Sequence, residues 1–391
     1  MKKTKRFLVL IVGLGVSAVG AFLFWVLGSN FGGLFSPIVY DVNNVADSEL
    51  ASVLFAGEEK VEHIKTPEPL RAIYMTSWVA GTQSWRTDLL KFIEASEINS
   101  IVIDVKDYSG RIAFEVADPV LKELGAEEIR VRDLKEFINE LHEKNIYAIA
   151  RISVFQDPYM AKRKPDLAVK NSSGGIWKDR KGINWIDPGA REYWDYIVRL
   201  GRETEHLGFD ELNFDYIRFP SDGNTEDIIY DHADQGSKPR DTMLTFFSYL
   251  DSELASLNIP ISADLFGMVT TAENSDLNIG QVLEYAAPYF DYIAPMVYPS
   301  HYPSGFIGLA NPAAHPYEVI HYSMSKAYER LVAATSTPSK LRPWIQDFDL
   351  GATYDASMIN KQKQAVYDSG LTSWMAWDPA NKYTREAYYP Q

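Results

Sequence analysis

The sequence contains no cysteine, which excludes disulfides, thiolate metal sites and cysteine nucleophiles. Its histidines, His63, His142, His206, His232, His301, His315 and His321, follow no metal-ligand spacing, and no metal or cofactor is expected. His301 reads as a loop histidine. A basic surplus is also missing. Lys and Arg number 38 against 53 Asp and Glu, a formal net charge of -15, which argues against nucleic-acid binding. The acidic balance reads mainly as solubility charge and is compatible with a neutral or cationic ligand. No Gly-x-Ser-x-Gly elbow supports acyl transfer. No glycine-rich phosphate loop follows the first strand, where Trp78-Val79-Ala80-Gly81 stands instead, and this disfavours a doubly wound nucleotide-binding sheet.

What is present is a long chain with a large apolar fraction. Its 391 residues are 46% hydrophobic, enough for one large core. Aromatics make up 13%, with 9 Trp and 23 Tyr; much of this fills a core, and flat aromatic faces also suit sugar clefts. Residues 2–6 read Lys-Lys-Thr-Lys-Arg, and 7–27 are uncharged and almost wholly apolar. A run of about 20 apolar residues is what a helix needs to cross a bilayer, and the basic flank places that end in the cytoplasm. A cleaved signal peptide is the alternative. The expected organisation is a membrane anchor over 1–28, a linker over 29–68 marked by Gly32-Gly33, Ser36-Pro37 and Pro67-Glu68-Pro69, and one domain over 69–391. The domain is expected to face the outside of the cytoplasm, in a periplasm or at the cell surface.

From residue 70 onward the chain alternates short β-rich runs with amphipathic helical stretches. Strands are expected at 71–76, 100–105, 146–153, 211–216, 260–265, 292–297, 342–348 and 373–377. Helices are expected at 87–96, 134–144, 190–207, 242–257, 279–287, 317–333 and 357–369. Strand-helix alternation implies parallel strands with crossover helices. Eight such units make the (β/α)8 TIM barrel, without an internal repeat beyond the alternation itself.

In such a barrel the chemistry sits at the carboxyl ends of the strands. Those ends carry Trp78, Asp104, Lys106, Asp107, Arg151, Asn213, Asp215, Arg218, Asp264, Tyr298, Gln346, Asp347, Trp377 and Asp378. Several interrupt apolar runs, and a buried carboxylate is costly unless paired or used. Side chains alternate along a strand, so Asn213 and Asp215 should share a face, as should Asp104 and Lys106. Glycoside hydrolysis needs two carboxyl groups flanking the scissile bond. Asp215 and Asp264 end adjacent strands and are the first choice for that pair, with Asp104 a third candidate. Arg151 and Arg218 would hold neighbouring carboxylates ionised, while Trp78, Trp344 and Trp377 would act as sugar platforms. Lys106, Asp107, Asn213, Tyr298, Gln346 and Asp347 complete the expected substrate-binding set. For each the bland alternative is a structural partner: an ion pair, a turn cap or a core aromatic. Asp210 and Glu211 read as a solvated strand start.

On these residues the chain resembles the bacterial putative glycoside hydrolase domain family, from about Arg71 to Tyr388. The resemblance is carried by Ile103-Asp104-Val105-Lys106-Asp107, by Gly208-Phe209-Asp210-Glu211 with Phe214-Asp215-Tyr216-Ile217-Arg218-Phe219-Pro220, and by Ser262-Ala263-Asp264-Leu265-Phe266-Gly267. Two further stretches are Pro295-Met296-Val297-Tyr298-Pro299-Ser300-His301-Tyr302 and Arg342-Pro343-Trp344-Ile345-Gln346-Asp347-Phe348. The resemblance implies a barrel behind a membrane anchor. The fourth strand is also similar to the chitinase motif Phe-Asp-Gly-x-Asp-x-Asp-x-Glu, with Phe209 and Asp210 matching and Asp215 on the last Asp. Asn213 replaces the middle Asp and Ile217 replaces the acid Glu, so the chitinase proton donor is missing. The pattern instead resembles barrels with an Asp nucleophile on the fourth strand, the acid coming from Asp264, or else from Asp347 or Asp378. The expected function is hydrolysis of an extracytoplasmic polysaccharide. The alternatives are a non-catalytic carbohydrate-binding barrel at the cell envelope and a structural envelope protein.

Overall fold

All the expected strands form, and they close on one another. A computed structural model describes residues 61–233 and 236–390; the apolar run 7–27 and most of the expected linker lie outside them. The strands are β1 (Arg71–Met75), β2 (Ser100–Lys106), β3 (Tyr147–Ser153), β4 (Glu211–Asp215), β5 (Ile261–Phe266), β6 (Tyr292–Met296), β7 (Trp344–Gln346) and β8 (Trp374–Trp377). Each pairs in parallel with its sequence neighbours, and β1 pairs with β8 to close the barrel. Sequential parallel strands need crossovers. These carry helices α1 (Gln83–Glu94), α2 (Leu134–Glu143), α3 (Arg191–His206), α4 (Pro239–Leu254), α5 (Leu283–Ala286), α6 (Pro316–Ala333) and α7 (Ala356–Asp368). The fifth expected helix shrinks to the single turn of α5.

The helices form where apolar residues recur at helical spacing. In α2, Leu134, Phe137, Ile138 and Leu141 all face inward, a spacing of three and four. Helix α7 starts where the Asp355 side chain accepts from the Met358 amide, capping an otherwise orphaned donor.

Strand side chains divide by the period of two. Ile73, Ile101, Ile103, Ala148, Ala150, Leu212, Phe214, Ala263, Leu265 and Ile345 face the helices in the larger core. Ala72, Tyr74, Val102, Tyr147, Ile149, Ala294, Trp344 and Met375 fill the barrel interior. The polar residues of β3–β5 fall on this inner set by the same alternation: Arg151 pairs in register with Asn213, and Asn213 with Ser262.

One expectation fails at β2. A register irregularity between Asp104 and Lys106 sets Lys106 opposite Ile152, so the bulge breaks the alternation. Asp104 points into the barrel, whereas Lys106 is sealed elsewhere. Its ammonium sits 2.9 Å from Asp157 and donates to the Ser153 carbonyl at 2.6 Å and to Tyr193 of α3 at 3.2 Å.

Asp210 and Glu211 are not solvated. Both are 1% exposed at the amino end of β4. Asp210 takes bonds from the Ile64 and Ala148 amides and from His142. Glu211 pairs with Arg342 at 2.8 Å and accepts from Tyr147 at 3.1 Å. Residues 61–68, expected as the end of the linker, run against this face. There His63 bonds Glu205 at 2.9 Å and Thr66 bonds Tyr147 at 3.0 Å. Among the described residues no helix is long and apolar enough to cross a membrane.

Candidate active site

At the carboxyl end of the barrel, side chains from β2, β4 and β5 converge on one guanidinium carried by β3. Arg151 of β3 donates from Nη1 to Asp104 of β2 at 2.6 Å and from Nη2 to Asp215 of β4, and its Nε lies 3.7 Å from Asp264 of β5. All four residues are at most 5% exposed. Asp264 is fixed further by Asn213 Nδ2 at 3.0 Å and by the Trp344 indole at 2.8 Å. Asp104 also accepts from the Tyr74 hydroxyl. The Asp215 carboxylate takes the amide of Tyr216 at 2.5 Å, and Tyr216 itself sits at φ 53. A left-handed tyrosine is uncommon, and such strain clusters at functional positions.

The electrostatics separate the three acids. Burial pushes Asp264 up to about 8, with the Asp215 charge adding to the shift; Arg151, Asn213 and Trp344 act against it. Burial also raises Asp104, against the pull of Arg151. For Arg151 burial alone would lower the value, but Asp215 and Asp104 outweigh it and hold the guanidinium firmly charged. The site therefore holds one permanent cation among three carboxyls, one of which keeps its proton at neutral pH.

Aromatic rings wall this cluster. Trp377 stacks on Tyr74 with centroids 3.7 Å apart, and the Arg151 guanidinium lies 4.9 Å from the Trp377 ring. Trp344, expected as a sugar platform, is completely buried; its indole serves Asp264 instead. Tyr298 is buried against His301 and Phe348. Trp78 is 59% exposed and covers the Arg130 guanidinium at 4.6 Å. Arg130 in turn pairs with Asp107 at 2.6 Å, so Asp107 holds the cation that the Trp78 ring covers. Tyr108, 60% exposed in the adjoining loop, adds a second open ring. A cleft of about 470 Å³ opens between α1 and the segment after β8, lined by Trp85, Asp88, Asn381, Lys382 and Arg385.

Other expected site residues are brought close in sequence position but given structural work. Gln346 is sealed, accepting from Ser300 and donating to the Phe348 carbonyl. Asp347, raised to about 6 by burial, holds the carboxyl-terminal segment through Thr384 and Tyr388. Asp378 accepts the Ala380 amide at 2.6 Å in the turn after β8. Arg218, expected to hold a neighbouring carboxylate ionised, instead lies buried among the rings of Trp185, Tyr216 and Phe266, with no carboxylate at ion-pairing distance among the described residues. Sequence reasoning missed Tyr74, Tyr108 and Trp85. Tyr74 was readable from the inward alternation of β1; the other two are exposed loop and helix-start aromatics with no pattern to mark them. Among the described residues no cluster of His, Asp and Glu has the geometry to hold a metal ion.

No curated protein matches the chain in sequence. Among solved structures, the glycoside hydrolase domain of PgaB (BpsB) from Bordetella bronchiseptica superposes with a TM-score of 0.59 at 13% identity, over 82% of this chain and 98% of that one. The α-galactosidase TtGalA from Thermus thermophilus gives 0.50 at 13% identity, over 83% of this chain and 61% of that one. A hypothetical protein from Ruminiclostridium thermocellum shares 31% identity over 49% of this chain and 96% of its own, with a TM-score of 0.45. The first two share the barrel fold. The model of one domain family matches residues 72–383, nearly the whole barrel, and the chain belongs to that family, the putative glycosyl hydrolase domain.

Proposed function

We propose that the chain is a glycoside hydrolase acting on a polysaccharide outside the cytoplasm, with Asp215 as nucleophile or base and Asp264 as the proton donor. The observation that carries this reading is the excess of acid around Arg151. Three carboxyls share one guanidinium, and the group with the strongest burial stays protonated to about pH 8. A structural ion pair needs no such surplus, because unpaired buried charge destabilises the fold. A carboxyl that burial holds protonated beside a second carboxyl is what a general acid next to a nucleophile or base requires. Asp215 is the outer of the two, with 7% of its side chain exposed against 1% for Asp264. In this reading Asp215 attacks the sugar carbon or activates water there, Arg151 orients it through the bond from Nη2, and Asp264 gives its proton to the leaving oxygen. Trp78, Tyr108 and Trp377 offer faces for the sugar rings. The basic residues 2–6 and the apolar run 7–27 support membrane anchoring, with the barrel on the far side of the bilayer.

A second reading, a non-catalytic carbohydrate-binding barrel, is favoured by the depth of the acids, since Asp104, Asp215 and Asp264 are each at most 5% exposed. Release of reducing ends from a polysaccharide panel separates the two. Hydrolysis by the full chain that disappears in Asp215→Asn, and persists in an exposed control such as Glu329→Gln, supports the enzyme. Binding without hydrolysis, unchanged in Asp215→Asn and Asp264→Asn, replaces it with the binding barrel.

A further inference from the structure

The buried arginines of this barrel are matched with acids, with one exception. Arg86 pairs with Asp133 at 2.6 Å, Arg342 with Glu211 at 2.8 Å, and Arg151 with its three aspartates. Arg218 is just as buried, at 6% exposure, yet among the described residues it has no carboxylate at ion-pairing distance. Asp215, Asp222 and Asp179 influence it only from a distance, and burial holds it below the usual arginine range. It remains a cation nonetheless.

The surroundings fix the orientation of this cation. Its guanidinium lies 4.4 Å from the Phe266 ring, 4.8 Å from Trp185 and 5.3 Å from Tyr216. One end is anchored: Nη1 donates to the Phe219 carbonyl and to Ser221 Oγ, both at 3.0 Å. The opposite edge, Nε and Nη2, donates to no described residue. Neither atom is sealed from solvent, in contrast to Nε of Arg151. That edge presents two parallel N–H groups, the fork that matches both oxygens of a carboxylate.

The fork sits three residues beyond Asp215, on the same rim. The neighbouring turn adds Lys178, Arg180 and Lys181, all exposed. It is laced to the Arg218 loop by the Trp177 indole on the Asn224 carbonyl at 2.9 Å and by the Arg180 amide on Asp222 at 3.4 Å. The acid within the turn, Asp179, is occupied by the Lys181 and Ile183 amides and the Trp185 indole. In a chain of net charge -15 this is a local reversal of sign beside the candidate catalytic acids.

We propose that Arg218 receives a carboxylate of the substrate, so that the saccharide bound at this rim is an acidic one, built from or decorated with uronic-type sugars. The proposal rests on the reading of the rim as a saccharide site and names its substrate class. It is tested by binding, which needs no turnover. The full chain is run by affinity electrophoresis through polygalacturonate, alginate and hyaluronan, through the carboxyl-reduced form of each, and through dextran sulfate. At least one uronate polymer is expected to bind roughly tenfold or more tightly than its reduced form, the value of a charge-assisted fork. Arg218→Gln is expected to lose that discrimination and Arg218→Lys most of it, with Trp78→Ala weakening both forms alike. Thermal unfolding identifies a variant that has failed to fold, in which case Arg218→Lys, which keeps the charge and loses the fork, decides. Equal binding of acidic and reduced polymers, binding of dextran sulfate alone, binding of none, or discrimination that survives in a folded Arg218 variant overturns the proposal. Absence of hydrolysis alongside acidic selectivity would sink the enzyme reading and leave this one standing.

Discussion

Replacing Asp264 by Asn should remove a pH dependence of stability that the wild type carries. In the fold Asp264 Oδ1 accepts from Asn213 at 3.0 Å and from Trp344 at 2.8 Å, and an amide oxygen can keep both bonds. The folded carboxyl holds its proton up to about pH 8 because it is buried beside Asp215, whereas an unfolded aspartate releases it near pH 4. Between those values the unfolded chain binds fewer protons than the folded one, so stability falls as pH rises. The contribution is fully present below about pH 4 and gone above about pH 8. At about 1.4 kcal/mol per pH unit the loss is on the order of 5 kcal/mol across the window. Chemical denaturation of wild type and Asp264→Asn at intervals from pH 4 to 9 reads the difference, in which groups remote from Asp264 cancel and the coupled Asp215 is included. The variant is expected to gain on the wild type steadily up to pH 8 and then run parallel. Curves parallel throughout would mean that Asp264 ionises normally in the fold, and its assignment as proton donor would fall with that result. The same variant should lose kcat on any substrate the wild type cleaves.

Arg342→Met strands Glu211 in the interior at the far end of the barrel; a loss of about 3–5 kcal/mol is expected by denaturation, partly restored by adding Glu211→Gln, with activity per folded molecule unchanged. His63 is raised from 6.5 to about 9 by bonds to Asp210 and Glu205, so its contribution is whole below pH 6.5 and lost as pH climbs to 9. The stability gap between wild type and His63→Gln should therefore close across that window, by roughly 2 kcal/mol after solvent screening. Trp78→Ala removes a ring that is 59% exposed; stability should move by less than about 1 kcal/mol, while affinity for a bound saccharide drops several-fold in a titration.

The fold was legible because its determinants are local. Short β-rich runs and helical periodicity mark the eight barrel strands and the seven crossover helices, though not the short helices Ser77–Ala80, Pro119–Leu124 and Pro158–Arg163 or the two-residue strands Lys170–Asn171 and Ile228–Ile229, and sequential parallel pairing follows from the alternation alone. The strand-end rule alone groups Asp104, Arg151, Asp215 and Asp264 at one rim. What the pattern could not supply was the third dimension within the strand ends. Alternation puts Lys106 on the face of Asp104, and a bulge, which no residue in Asp104-Val105-Lys106 announces, turns it to Asp157. Trp344 reads equally as platform or core, since aromatics at strand ends can be either; its buried indole bonds Asp264. Asp210 and Glu211 looked solvated because their partners, His63, His142 and Arg342, are distant in sequence.

The two ends of the barrel interior offer an internal comparison that bears on function. At the amino end Glu211 meets Arg342, one acid to one base, with Tyr147 completing the acid's bonds. At the carboxyl end three acids meet one Arg151, and the next cation along the rim, Arg218, meets none. Burial is similar at both ends, so desolvation does not distinguish them; stoichiometry does. A fold selected for stability alone would match charges at both ends, since each unmatched buried charge costs several kcal/mol. The amino end obeys that rule. The carboxyl end departs from it in both directions within a few residues: acids outnumber the base at Arg151, where Asp264 stays neutral by keeping its proton, and the base at Arg218 has no acid. A ligand supplying what each side lacks, a leaving oxygen for the proton of Asp264 and a carboxylate for the fork of Arg218, would relieve both imbalances at once.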